Sequence, residues 1–79
     1  MNRYVATFHT HFAALYTFRA LRGAGVPSQM APVPRVLSSS CGTCVRYSAA
    51  EPLVSMMHRD FEQVVAERAD GTFERVAEA

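Results

Sequence analysis

The sequence predicts an α+β fold: a ferredoxin-like βαββαβ unit, with a four-stranded antiparallel sheet in the order 4-1-3-2 and both helices on one face. Three features point there. Residues 3–9 and 43–48 alternate in strand fashion. Residues 11–22 and 51–69 repeat apolar side chains at three- and four-residue intervals. Glycine and proline punctuate the junctions between them.

The first strand, RYVATFH, sets Tyr4, Ala6 and Phe8 against Val5, Thr7 and His9, with β-branched and aromatic residues dominant. Thr10 is a suitable N-cap. The helix that follows carries Ala14, Leu15, Phe18 and Leu21 on one face and stops at Gly23 and Gly25. Residues 26–33 are short and extended. Pro27, Pro32 and Pro34 cannot donate to a ladder, so this second strand belongs at a sheet edge. After a serine-rich connection, TCVRYS alternates again. Ser48 with Glu51, or Glu51 with Pro52, can open a second helix reaching about Ala69, with Leu53, Met57, Phe61, Val64 and Val65 as its face. Asp70-Gly71 is a turn signal, and TFERVA forms the last strand.

Tyr4, Ala6, Phe8, Val45, Tyr47 and Phe73 are then expected to meet the helices. Val5, Thr7, His9, Cys44 and Arg46 line an open face, where a partner, a ligand or a homodimer could sit. Strands one and three are neighbours, which brings His9 close to Cys41–Cys44.

The 79 residues form a single domain that buries about 60% of its unfolded surface, so stability is modest. Half the composition is hydrophobic, which argues against disorder. A net charge of +1 gives no field for nucleic acid or an anionic membrane. No apolar run approaches the length needed to cross a bilayer, and the N-terminus does not read as a signal peptide. A cytoplasmic location is expected. There, a Cys-x-x-Cys is more often catalytic or metal-binding than a structural disulfide.

Both cysteines lie in SSSCGTCVRY, residues 38–47. A disulfide between Cys41 and Cys44 needs a turn at Gly42-Thr43, because three strand residues span roughly 10 Å and the bond requires Cα atoms within about 7 Å. Redox pairs of the thioredoxin type open a helix, whereas a strand follows here. A zinc or iron–sulfur site could draw on Cys41, Cys44 and His9, with four cysteines shared in a dimer, although the spacing matches no common zinc pattern. His11 and His58 read as a first-turn helix residue and a solvent-facing residue. A single reactive thiol asks for less. Cys41 follows three serines and precedes Gly42, Arg35 and Arg46 flank the loop, and the N–H groups around Ser39, Ser40 and Gly42 could form an anion-binding nest. Ordinary loop and strand residues would look the same.

The run Pro34-Arg35-Val36-Leu37-Ser38-Ser39-Ser40-Cys41-Gly42, followed by Arg46 and Tyr47, resembles the signature of a small bacterial family of selenium/sulfur carrier-like proteins. The likeness extends from Tyr4 to Val76. It implies that Cys41 accepts a persulfide or selenosulfide from a donor protein such as a cysteine desulfurase. Gly42, Arg35 and Arg46 would support it. Cys44 departs from the family pattern. The protein would be the carried substrate and not an enzyme, and it would need no cofactor. A metal-binding module and a non-catalytic interaction domain are the alternatives.

Overall fold

The computed structural model describes all 79 residues. The chain runs β1 (Asn2–Phe8), α1 (His11–Gly23), β2 (Ser28–Pro32), β3 (Thr43–Ala49), a 3-10 turn (Val54–Met56), β4 (Phe61–Glu67) and β5 (Phe73–Glu78). The five strands form one sheet in the order β2-β3-β1-β4-β5, every neighbouring pair antiparallel. There is one α-helix. The four-stranded ferredoxin-like unit with two helices is therefore incorrect for this chain.

The first half follows local signals. Thr10 caps α1, its hydroxyl accepting the Ala13 N–H at 3.1 Å. Ala13, Ala14, Thr17 and Leu21 form the buried side of the helix. Gly25, with φ +79°, turns the chain into β2, which is an edge strand as its prolines require. β3 pairs antiparallel with β1, with Thr7 opposite Cys44.

The second half departs from expectation between Glu51 and Ala69. Pro52 is followed by Leu53 in the left-handed region at φ 55°, so no helix starts there. The 3-10 turn ends when Met57 becomes extended. The Thr17 hydroxyl then accepts the His58 N–H at 2.9 Å, tying the turn to α1. Phe61–Glu67 enters the sheet between β1 and β5, so the last strand pairs with β4 and not with β1. The helical spacing of Leu53, Met57, Phe61 and Val64 was real, since all four pack on the helix-side core. They do so from a turn and a bulged strand. Phe61 stands opposite Phe8 and Gln63 opposite Thr7, which leaves Glu62 as the extra residue. That insertion lets Phe61 and Val64 share a face despite their odd separation.

The helix covers one sheet face and a loop covers part of the other. Tyr4, Ala6, Phe8, Val45, Tyr47 and Val64 meet α1. On the other face Val5, Cys44 and Val65 are sealed by Val33, Leu37 and Phe73. Phe73 thus lies opposite the side expected for it, and the face expected to be open is roofed over half its length by the connection between β2 and β3. A fully buried valine contributes roughly 1.5–3 kcal/mol, so this second cluster matters in a chain this small. The one helix is not long and apolar enough to cross a membrane.

Candidate functional site

The connection at residues 33–42 leaves edge strand β2 and returns to β3. Its ends are closed by the Val33 N–H donating to Gly42 O at 3.1 Å. A turn bond from Leu37 N–H to Pro34 O, 3.0 Å, drives Leu37 down onto the Val5–Cys44–Val65 cluster. Two serines then fasten the segment just ahead of Cys41. The Ser39 hydroxyl donates to Phe8 O at 3.1 Å. The Ser40 N–H and hydroxyl both donate to Glu62 Oε2, at 3.2 and 2.8 Å.

Glu62 is the bulge residue of β4, and the bulge aims its carboxylate at this loop. Burial alone would raise its pKa. The bonds from the Ser40 hydroxyl and N–H outweigh that and hold the carboxyl below its ordinary range. The Ser39 and Thr7 hydroxyls lie close enough to add to the effect. In direct geometry, however, Ser39 points to Phe8 O, and Thr7 Oγ1 and Glu62 Oε1 are buried without a hydrogen-bond partner. His9 Nδ1 approaches Glu62 Oε2 at 3.5 Å, an ion pair once the imidazole is protonated.

Cys41 is half-buried and a free thiol, packed on the edge of the helix-side core. Its S–H donates to Thr43 O at 3.4 Å. Gly42, at φ +75°, supplies the turn that separates Cys41 from the strand. Ser40 N–H is already taken by Glu62, so the expected nest is partly occupied. The Cys41 and Gly42 amides donate to no group of the chain and remain free.

Cys44 is also a free thiol but is fully buried in the opposite cluster, its S–H directed to Pro32 O at 3.6 Å. Burial pushes its pKa up; the Arg46 charge opposes this. The two cysteines therefore belong to different packing environments. Arg46 is turned to Glu67, at 3.1 Å, and acts on Cys44 rather than flanking the Cys41 loop. Arg35 is exposed and makes no ion pair.

The alternative metal set does not assemble. No group of three His, Cys, Asp or Glu side chains within the chain could hold a metal ion. His9 turns to Glu62 and Cys44 faces inward. His11 is exposed at the start of α1. His58, expected to face solvent, has a side chain only 17% exposed and meets Phe12 and Tyr16 edge-on.

The residues that sequence reasoning missed are Glu62 and Glu67. Each is a long-range partner of a residue it found, and both lie in the segment read as helix.

A half-buried thiol at the closed end of a buttressed loop, beside a small sheet with one helix, is the candidate site. The chain belongs to the family described as "Putative Se/S carrier protein-like", whose model matches residues 3–59, both cysteines included. No curated protein and no solved structure matches the chain significantly.

Proposed function

We propose that the protein carries sulfur or selenium as a covalent adduct on Cys41. Membership of the family supports the carrier role. The observation that selects Cys41 is its setting: it is the half-exposed thiol of the two, on a loop fastened at Ser39 and Ser40, with two unengaged amides beside it.

Loading is a thiol–persulfide exchange. The Cys41 thiol loses its proton to solvent, and its thiolate attacks the outer sulfur of a persulfide on a donor protein. A Cys41–S bond forms and the donor's S–S bond breaks. The electron pair leaves on the donor thiolate. The exchange is redox-neutral and leaves Cys41–S–S⁻; a selenium donor leaves Cys41–S–Se⁻. The Cys41 and Gly42 N–H groups can donate to the new terminal anion, in the manner of a backbone nest. Arg35 supplies the positive field on the loop. Cys44, buried in the other cluster, takes no part. The protein is the substrate that the donor enzyme, such as a cysteine desulfurase, loads.

Intact mass spectrometry after incubation with a cysteine desulfurase and cysteine tests the reading. Each sulfur carried adds about 32 Da, removable by reductant, as expected of a persulfide. The adduct should survive in Cys44→Ala and vanish in Cys41→Ser. An unmodified wild type, or equal loading of Cys41→Ser, defeats the proposal.

A further inference from the structure

The sheet face opposite α1 is covered over only half its length. Direct strand pairs place Gln29 beside Arg46, Arg3 beside Ser48, and Arg3 beside Glu67. Opposed residues share a face, and Arg46 and Ser48 are two apart on β3, so these side chains form one polar row. The row continues the apolar cluster of Val5, Cys44 and Val65 past Val33 and Leu37, with Phe73 beside Glu67 at its β5 end. An open cavity of about 610 Å³ lies over it, lined by these residues and by Arg22 from the last turn of α1. Its volume falls in the range of small-molecule sites, roughly 300–1,000 Å³.

The charge is unbalanced. Three arginines line the cavity against one carboxylate, Glu67, and that carboxylate is engaged by Arg46 at 3.1 Å. Arg3 forms no ion pair, and neither does Arg22, whose guanidinium lies 5.5 Å over the Phe18 ring. Two uncompensated guanidinium groups match a doubly charged oxyanion, and guanidinium forks suit phosphate in particular. The Gln29 amide and the Ser48 hydroxyl offer neutral partners for the rest of a small ligand. Tyr4 and Tyr47 turn their rings into the helix-side core, so no exposed ring stands ready to stack a nucleobase.

The geometry points to this cavity as a binding site for a small phosphate monoester, at the opposite end of β3 from Cys41. It does not rest on the carrier reading. Titration of ¹⁵N-labelled protein with glycerol 3-phosphate, followed by amide chemical shifts at constant ionic strength with chloride as the reference, tests it. Saturable shifts centred on Gln29, Arg46 and Ser48 are expected. Arg3→Ala should weaken binding about tenfold, the loss of one charge-assisted contact. Arg22→Gln, on an exposed helix end where folding is not at stake, should weaken it severalfold. Arg59→Ala should leave it unchanged. Shifts no larger than those given by chloride overturn the proposal, as does wild-type affinity in both Arg3→Ala and Arg22→Gln.

Discussion

Ser40 gives both its N–H and its hydroxyl to one oxygen of Glu62, across 22 residues of sequence. That pairing joins the cysteine loop to the bulge of β4 and fixes where Cys41 emerges. Glu62→Gln keeps an acceptor but removes the charge. A hydrogen bond to a charged partner contributes roughly 1.5–3 kcal/mol, and one without charge about half of that. Glu62→Gln should therefore lower stability in urea by about 1 kcal/mol and Glu62→Ala by about 2 kcal/mol. Freed from its anchor, the loop should also expose Cys41, so alkylation of that thiol should speed up in both variants.

The same carboxyl predicts a pH dependence. Its folded pKa lies below its unfolded value. The stabilisation it provides is therefore fully present above the unfolded pKa, about 4.3, and is lost as pH falls through the lower folded value. Wild-type stability should decline on acidification below about pH 4 more steeply than that of Glu62→Gln, the two curves converging at the acid end. Parallel urea midpoints over that window would show that Glu62 is not the group responsible.

The thiols should separate by reactivity. Burial raises the pKa of Cys44, so it stays protonated and enclosed at about pH 8. Iodoacetamide should label Cys41 in the native protein and reach Cys44 only on unfolding, read by peptide mass mapping. Cys44→Ala should cost roughly 1–2 kcal/mol through the cavity it leaves. Cys41→Ser, at a half-exposed position, should cost less.

Thr17 is a buried hydroxyl in the middle of α1 that accepts the His58 N–H. Thr17→Val keeps the shape and strands that N–H, at a cost of about 1–3 kcal/mol. Thr17→Ser should restore most of the loss. Thermal unfolding of the pair distinguishes the bond from simple packing.

How far these features could be read in advance depended on how local they are. β1 and β3 alternate, Thr10 caps the helix it precedes, and the prolines around β2 mark an edge. Each signal lies within a few residues of its effect. Phe61–Glu67 is different. Val64 and Val65 are both buried, on opposite faces, and a strand covered on both sides loses its alternation. The bulge at Glu62 then set Phe61 and Val64 in a spacing that imitates a helix. The site divides in the same way. Ser39 to Gly42 could be picked out because they are contiguous. Their anchor Glu62, and the Glu67 that draws Arg46 away, could not be, because sheet pairing decides which residues meet across the chain.

Gly42 offers the sharpest test of the loop itself. Its φ of +75° lies where an L residue is strained, yet a Cβ added there would meet nothing within 4 Å. Any penalty must therefore be backbone strain and not collision. Gly42→Ala should destabilise the protein by about 1–2 kcal/mol, the ordinary difference between glycine and an L residue in the left-handed region. It should also loosen the Val33–Gly42 closure, seen as faster hydrogen exchange at the Val33 N–H. D-alanine at the same position, introduced by chemical synthesis, favours positive φ and should match or exceed glycine in stability. If L- and D-alanine were equally destabilising, strain at Gly42 would not be what shapes the loop, and the placement of Cys41 would have to rest on Ser39 and Ser40 alone.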